Sequence, residues 1–462
     1  MYRKKLLDKQ PEWLRKYTSS MIDDREIAAE VLQALKVHIN HLTELNLIPK
    51  NEANKVAKVV DDLIRDPSPL FSIKAEDVHE AIEIYLKNKV GRTANWISLG
   101  KSRNDHVSAA LRLHTRTLTL ELLSSLNRLR EALIGKAQSN IRTIMPGFTH
   151  LQPAQPITLA HYLLYIEEEL SCYFNVLRFL LNEIVEKSPL GAAAIAGTIV
   201  PLNRKKLAKM IGMSKIVINT LAATSARNFL TLVTATTTSL QVFLSRIAED
   251  LIIWSTPQFN YITPHEHHLA TSSIMPHKRN PITMEIVRAR SGESIGSLMS
   301  ILSIIKGLPS GYNLDLQEIS RHAWKVLKNA IESATVLADF ILKMKVNAKK
   351  MSADAEKYMT LTAYLAEYIS MKQGAPYREM HQLVAEAVKC SRNFNEVIKY
   401  VLNKLKVKLE PPSRTEELLE MKKVLGSPRE IHVKLMIQQA AKRLKKDAKG
   451  LEKHYNYGDN EI

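Results

Sequence analysis

The sequence is poor in the residues that build disulfide frameworks, sheets and membrane spans. Its 462 residues include two cysteines, Cys172 and Cys390, which argues against a disulfide framework or a cysteine-based zinc site and favours a reducing compartment. Glycine occurs 15 times and aromatic residues make up 6% of the chain, a balance that favours helix over sheet. The sequence has no apolar run of about 18 residues, the length that a membrane span needs, and the N-terminal MYRKKLLDKQPEW lacks the apolar stretch of a secretory signal. These absences predict a helical, cytoplasmic protein that does not associate with membranes.

The net charge of +18 is the strongest compositional bias. Such an excess of Lys and Arg is found in proteins that bind nucleic acid or anionic small molecules. The basic residues are spread along the chain, and the densest runs, 341–350 and 441–450, carry apolar residues at helical spacing. Runs of this kind are typical of a solvated helix face. We therefore expect no nucleic-acid surface and look for an anionic small-molecule substrate.

The positions of proline and glycine divide the chain into three parts. The ranges 105–145, 157–188 and 226–256 together contain one glycine and no proline, and 281–308 continues the pattern. From Phe229 to Ile252, apolar residues recur at spacings of three and four. Helices of about thirty residues are about 45 Å long and bury their apolar faces only against each other. We expect an all-α fold with an N-terminal helical domain at 1–100, a central long-helix bundle at 101–350 and a C-terminal helical domain at 351–462.

Polar segments interrupt this pattern at the ends of the predicted long helices. Such segments are where a rigid scaffold usually carries a site. One bundle would bring them together, or several chains would. They are GKSRNDHV at 100–107, MPGFTHLQPAQP at 145–156, SPLGAAAIAGT at 188–198 and ATSSIMPHKRNPITMEIVR at 270–288.

The side chains of these segments suit removal of a proton next to a carboxylate. Thr149 places a hydroxyl beside the imidazole of His150, which Glu285 would orient as the third member of a triad does. Ser272 precedes Lys278 by six residues in a proline-bounded loop, where an ammonium group and backbone N–H groups can stabilise an alkoxide. This chemistry requires neither metal nor cofactor. The carboxylate-binding pocket would be formed by Ser102, Arg103, Asn104, Thr149, Lys278 and Asn280.

Each of these features also has a purely structural interpretation. A Thr-His pair after Pro-Gly is typical of a turn, and a Ser-Ser pair is typical of a helix cap. Residues 265–268, HEHH, suggest a zinc site, but Leu269 stands where the His-Glu-x-x-His motif has its second histidine. We therefore predict no metal site there.

The range 270–288 resembles the signature of the fumarase/aspartase superfamily, Gly-Ser-Ser-x-x-Met-Pro-x-Lys-x-Asn, with one residue fewer before the methionine. The resemblance covers nearly the whole chain. Three segments make the argininosuccinate lyase family the most similar branch: GKSRND at 100–105, PGFTHLQPAQP at 146–156 and GLPSGYNLDLQE at 307–318. Further matching segments are EDVH at 76–79, ATSARNF at 223–229, SRIAEDLI at 245–252 and QGAPYREMH at 373–381.

This resemblance implies a fold, a reaction and an assembly. The fold would be all-α, and the reaction would split argininosuccinate into arginine and fumarate without a cofactor. A homotetramer would pack its central helices into one core, and each active site would draw on three subunits. Ser272 on a mobile loop would be the base, and His150 paired with Glu285 the other acid/base group. Lys278 and Asn280 would hold the succinyl carboxylates, and the substrate would also contact Ser20, Asn104, Thr149, Tyr312 and Gln317.

Several positions depart from the family pattern and alter the expected pocket walls. Ser320 stands where the family has a lysine, and we predict that the neighbouring Arg321 takes over its contact with the amino-acid end of the substrate. Three functions stay open: an active argininosuccinate lyase, a superfamily lyase acting on another N-succinyl adduct such as adenylosuccinate, and a non-catalytic structural protein on the lyase scaffold. The other substituted positions are Lys101, Ala192, Ala193, Ala194, Ala222, Asn228 and Thr271.

Overall fold

The computed structural model describes residues 10–459 and is built almost entirely from helices, which confirms the predicted all-α fold. Within these residues no helix is both long and apolar enough to cross a membrane. The helices are α1 (Glu12–Thr18), α2 (Ala28–Glu44), α3 (Lys50–Arg65), α4 (Val78–Val90), α5 (Arg103–Gln138), α6 (Leu159–Leu180), α7 (Arg204–Met210), α8 (Thr220–Ser225), α9 (Asn228–Ser255), α10 (Ile282–Ile305), α11 (Ser320–Lys343), α12 (Ala348–Lys357), α13 (Thr362–Gln373), α14 (Tyr377–Cys390), α15 (Phe394–Leu405), α16 (Thr415–Glu420) and α17 (Glu430–Asp459). The strands are β1 (Ile144–Thr149), β2 (Gln152–Thr158), β3 (Lys187–Ser188), β4 (Lys215–Ile216), β5 (Ile262–Thr263), β6 (Ala270–Thr271), β7 (Arg279–Asn280) and β8 (Lys345–Val346).

The five long helices α5, α6, α9, α10 and α11 form the centre of the molecule. Helix α11 packs along α5 and α9, α10 packs on α9 and α11, and α6 packs on α5 and α9. The three-four spacing predicted in α9 is the buried side of that helix, because its apolar residues from Phe229 to Leu251 lie in the core. Periodicity along the sequence therefore fixes which side of each long helix faces the bundle.

Two long segments stop being helical earlier than their lack of proline suggested. Helix α5 ends at Gln138, and residues 144–158 form the antiparallel hairpin β1–β2, in which Pro146, Pro153 and Pro156 lack the N–H group that a helix interior needs. Helix α6 widens at its end into a π-helical turn, Leu181–Val185. Buried Arg112 donates from Nη1 to the carbonyl oxygens of Ile184 at 2.7 Å and Val185 at 3.3 Å, which satisfies carbonyls that the turn leaves free.

The ends of the chain pack in two different ways. Helices α2, α3 and α4 share one continuous apolar core with the long helices. Helices α13, α14 and α15 bury a separate cluster that includes Leu365, Ile369 and Val397. The last helix, α17, returns to the bundle and packs along α5 and α6. The division at residues 100 and 350 stays a prediction.

A buried charge network ties α17 to the bundle. The Arg130 guanidinium is fully buried and donates to Glu167 at 3.0 Å and to Asp447 of α17 at 2.9 Å. Arg443 donates to the second oxygen of Glu167 at 2.6 Å, and Arg178 donates to the second oxygen of Asp447 at 3.0 Å. Every carboxylate oxygen of the network thus accepts a charge-assisted hydrogen bond, which offsets the cost of removing these charges from water.

Candidate active site

The superfamily signature folds as a hairpin at the start of α10. Strand β6 pairs with β7, Ala270 opposite Asn280, so the connecting residues form a closed loop that carries Ser272 and Lys278. The Ser272 hydroxyl oxygen accepts the N–H groups of Ile274 at 3.3 Å and Met275 at 3.1 Å. The loop is exposed, with Ser272 half-buried, so its geometry depends on these local bonds and on the two strands.

Residues Thr149 and His150 stand at the tip of the β1–β2 hairpin. Thr149 pairs with Gln152, and the two residues between them, His150 and Leu151, have φ values of 54° and 58°. Such left-handed backbone is unusual for residues other than Gly, Asn and Asp, and strained conformations of this kind cluster at functional sites. All three tip side chains, Thr149, His150 and Leu151, are exposed. The turn thus exposes the predicted acid/base imidazole of His150 at this end of the bundle.

A second group of predicted residues surrounds two carboxylates of the N-terminal helices. The Ser20 hydroxyl donates to Asp24 Oδ2 at 2.8 Å, and this carboxylate oxygen also accepts the N–H group of Val78 at 3.0 Å. Burial raises the pKa of Asp24 to about 6, against the effect of these hydrogen bonds. Arg103 donates to Asp77 at 2.8 Å. These contacts fix the positions of Ser20 and Arg103, each against one of the two carboxylates.

The Ser102–Asp105 segment is held by a capping box and by the following loop. Ser102 accepts the Asn104 N–H group at 3.2 Å, and Asp105 accepts the Ser102 N–H group at 3.1 Å. The other Asp105 oxygen accepts N–H groups of Gly191 and Ala193 at 3.2 and 3.0 Å. Burial nonetheless raises the pKa of Asp105 to about 6. The Asn104 side chain donates to the Ala194 carbonyl oxygen at 3.2 Å, so this segment is joined to the loop at 190–194 by several hydrogen bonds.

Three buried histidines lie behind this segment. His38 contacts the Leu99 carbonyl oxygen through Nε2 at 2.9 Å, and its ring meets that of His106 edge to face at 5.4 Å between centroids. Burial lowers the pKa of His38 and of His79 to about 4, and it lowers the pKa of His106 well below the ordinary value of a histidine. The nearby ammonium group of Lys101 acts in the same direction on all three.

The remaining predicted contacts lie at the start of α11. Gln317 ends a 3-10 turn, Leu314–Gln317, and donates to the Thr18 carbonyl oxygen at 3.3 Å. Burial raises the pKa of Tyr312, while the positive charge of Arg227 opposes the shift. Arg321 is exposed and forms ion pairs with Glu318 and with Asp23, the latter at 3.5 Å. It lines a groove of about 390 Å³ between α10 and α11.

Three further residues act on predicted ones, although the sequence alone did not single them out: Asp24 and Asp77 bond to Ser20 and Arg103, and the charge of Arg227 acts on Tyr312. Arg227 is buried and donates to the carbonyl oxygens of Thr224 at 3.1 Å and Ala226 at 3.2 Å. The segments EDVH and ATSARNF carried the signal for Asp77 and Arg227. Among the described residues there is no cluster of three or more side chains suited to hold a metal ion.

One chain places the predicted residues at opposite ends of its bundle. Ser272, Lys278, Asn280 and Glu285 lie at the start of α10, whereas Tyr312 and Gln317 follow its end. The 24 residues of α10 span about 36 Å. Thr149 and His150 follow the end of α5, whose 36 residues separate them from Ser102, Arg103 and Asn104 by about 54 Å. No hydrogen bond or ion pair within residues 10–459 joins His150 to Glu285 or Ser272, so that pairing stays a prediction.

Comparison with known proteins gives a consistent result. A family profile described as "Lyase" matches residues 4–296. The chain is 44% identical to the argininosuccinate lyase of Pyrococcus furiosus over 452 residues, covering 98% of this chain and 97% of that protein. It is 39% identical to the argininosuccinate lyase of Sulfolobus acidocaldarius over 445 residues, covering 96% and 93% of the two chains.

Two solved structures share the fold. An EDDS lyase in complex with formate is 24% identical, with a TM-score of 0.83 over 97% of this chain and 93% of that chain. A class II fumarase from Schistosoma mansoni is 17% identical, with a TM-score of 0.73 over 88% and 90% of the two chains.

Proposed function

This chain belongs to the lyase family, and we propose that it is an argininosuccinate lyase, a carbon-nitrogen lyase of arginine biosynthesis. The observation on which the proposal depends is the hairpin at 270–280, which presents Ser272 and Lys278 on one closed loop directly before the helix of Glu285. The argininosuccinate lyase relatives, at 39–44% identity over nearly the full length, support the choice of substrate.

The reaction would be an elimination driven by acid/base chemistry. Ser272 as alkoxide would take a proton from the carbon next to a succinyl carboxylate, and the electron pair would move onto that carboxylate. Lys278 and Asn280 would stabilise the resulting dianion, because charge develops there only in the transition state. The C–N bond would then break and His150, oriented by Glu285, would give a proton to the leaving guanidino nitrogen. The products are fumarate and L-arginine, and no step requires a metal or a cofactor.

The substrate would be held at its other end by the second group of residues. Their N–H and O–H groups and one guanidinium would donate to the carboxylate of the substrate, and their hydroxyl and amide oxygens would accept from its amino group. These residues are Ser20, Ser102, Arg103, Asn104, Thr149, Tyr312 and Gln317. In the unliganded chain, Arg103 is paired with Asp77 and Gln317 with the Thr18 carbonyl oxygen. Substrate would therefore exchange contacts with these partners.

We propose that the site is completed in a homotetramer. Its halves lie about 36 Å apart along α10 in one chain, so an antiparallel neighbour of the same length would bring them together. Helix α10 also exposes apolar residues, including Ile286 at 52% and Met299 at 56% exposure. An added Cβ at Gly292 or Gly296 would meet nothing within 4 Å, which leaves space for close approach of another helix. We further propose a cytoplasmic enzyme that binds a small dicarboxylate and neither nucleic acid nor membranes.

A lyase that releases a different amine is the alternative. Ser320 carries no charge, and Arg321 already forms ion pairs with Glu318 and Asp23, so the amino-acid end of argininosuccinate has no free cation at this position. An N-succinyl adduct of a different amine, such as adenylosuccinate, would not need that cation.

The decisive experiment offers argininosuccinate and adenylosuccinate in parallel and follows fumarate by ultraviolet absorbance. Ser272→Ala, purified in the same way, is the matched inactive control. We expect fumarate from argininosuccinate alone, with arginine in equal amount by chromatography. Fumarate from adenylosuccinate alone would establish the alternative, and fumarate from neither would refute both substrates and leave a lyase for another N-succinyl adduct or a non-catalytic protein on the lyase scaffold.

A further inference from the structure

His268 joins three parts of the structure at the base of the Ser272 hairpin. It is 4% exposed and ends the short 3-10 turn Glu266–His268, two residues before β6. Its Nδ1 lies 3.0 Å from the Thr283 hydroxyl in the first turn of α10, and its Nε2 lies 3.1 Å from Asp339 near the end of α11. Its ring packs against Phe340 at 5.0 Å between centroids.

These contacts connect the two ends of the loop to each other and to the bundle. The residue before the hairpin (His268) and a residue just after it (Thr283) meet side chain to side chain, while residues 273–279 between them are all exposed. Thr283 also precedes Glu285 by two residues in the same turn of α10. The position of the loop relative to α10 therefore depends on the two-residue strands β6 and β7 and on this one buried imidazole.

The hydrogen bonds are complete with a neutral ring. Nε2–H donates to the Asp339 carboxylate, and the Thr283 hydroxyl donates to Nδ1. Burial lowers the pKa of His268, and the negative charge of Asp339 opposes the shift. Lys343 and His265 are the other charged or titratable groups that act on this ring, and Lys343 pairs with Asp339 at 2.8 Å. The ring is thus held by two partners on two different helices.

We propose that His268 is a positioning residue, which sets the hinge of the Ser272 hairpin by linking its incoming strand to the first turn of α10 and the last turn of α11. The part of this proposal that concerns turnover rests on the proposed lyase function. A hydrogen bond that forms in only one of two loop positions favours that position, and its loss shifts the equilibrium between them by about tenfold. The loop would then spend less time where Ser272 and Lys278 act on substrate.

The test compares His268→Phe with two matched variants. His268→Phe retains the aromatic packing on Phe340 and removes both hydrogen bonds, whereas the nearly isosteric Thr283→Val removes one of them with little risk to folding. His267→Phe makes the same replacement at an exposed neighbour. One readout is the rate of tryptic cleavage after Lys278 and Arg279, mapped by mass spectrometry, and the other is kcat and KM for argininosuccinate.

We expect cleavage within the loop to rise roughly tenfold in His268→Phe and less in Thr283→Val, with kcat lowered about tenfold and KM within about threefold. The double variant His268→Phe/Thr283→Val should have nearly the same cleavage rate and kcat as His268→Phe alone, because both changes remove the same link. His267→Phe should behave as the unchanged protein. Unchanged loop cleavage in folded His268→Phe and Thr283→Val would overturn the proposal, as would additive effects. The cleavage readout needs no turnover, so it tests the hinge even if argininosuccinate is not the substrate.

Discussion

The buried histidines behind the Ser102–Asp105 segment make the free energy of unfolding depend on pH. The contribution of one of them, His38, can be measured by substitution. Burial lowers its pKa to about 4 in the folded protein, against 6.5 for an unperturbed histidine. Because the folded pKa is depressed, the unfolded chain binds more protons between these values. Stability is therefore full above about pH 7 and is lost as pH falls through 6.5 towards 4.

Replacing His38 by glutamine isolates this contribution. The glutamine amide can still donate to the Leu99 carbonyl oxygen, so the hydrogen bond at 2.9 Å is kept while the titration is removed. From these two pKa values, the unchanged protein loses about 2 kcal/mol of unfolding free energy at pH 5 relative to pH 8 through His38. The His38→Gln protein does not have this loss. A chain of this size has an unfolding entropy of about 1 kcal/mol per degree, so the difference corresponds to about 2 °C in Tm.

The measurement is Tm by differential scanning calorimetry for both proteins at pH 8, 7, 6 and 5, at one protein concentration. The gap between the two Tm curves should shift by about 2 °C in favour of His38→Gln from pH 8 to pH 5. Using the gap cancels the opposite effect of Asp24 and Asp105, whose raised pKa values stabilise the fold as pH falls below 6. Exposed His267→Gln is the control. Parallel curves for His38→Gln would refute the reasoning.

Four further predictions concern the site and the charge network. Ser272→Ala should lose most turnover in kcat assays but remain folded, and near-normal kcat would remove its assigned role. Co-refolding His150→Asn with Ser272→Ala should restore part of the activity, because some shared sites then draw only intact segments; no recovery, or a monomer in sedimentation, would count against the assembly. Arg321→Ala should raise KM for argininosuccinate roughly tenfold with less effect on kcat, and an unchanged KM would favour a different amine. Glu167→Gln should lower the stability of the folded chain by about 3 kcal/mol or more in thermal unfolding, because it leaves Arg130 short of a buried counter-charge.

Helix positions could be predicted from sequence because apolar periodicity is a local property. The pattern from Phe229 onward identifies the buried side of α9 without knowledge of its neighbours. The Thr-His pair after Pro-Gly indicated a turn, but the left-handed backbone of His150 and Leu151 could not be predicted in this way. The turn lacks the Gly or Asn that usually marks such a turn, and it is anchored by Phe148 packing against Phe259 and Tyr261, more than a hundred residues away.

The residues of the candidate site also divide into those that could be predicted from local sequence and those that could not. Ser272, Lys278 and Glu285 could be grouped from sequence because they occur within one short segment. Asp24 could not, since its role depends on Ser20 in its own turn and on Val78 from a distant helix. In the sequence His268 is recognisable only as part of a possible metal motif, because its hydrogen-bond partners Asp339 and Thr283 lie 71 and 15 residues away.

The network around Arg130 has a consequence for how the protein is made. Arg130 and its partner Asp447 are 317 residues apart in the chain. At a synthesis rate of about 5–20 residues per second, the ribosome adds that stretch in about 15–60 s. For most of this interval α5 and α6 have been synthesised, but the helix that covers their charged groove does not yet exist. The nascent chain must therefore reach Arg443 and Asp447 before this side of the bundle can close, and a truncation before these two residues would leave the groove open.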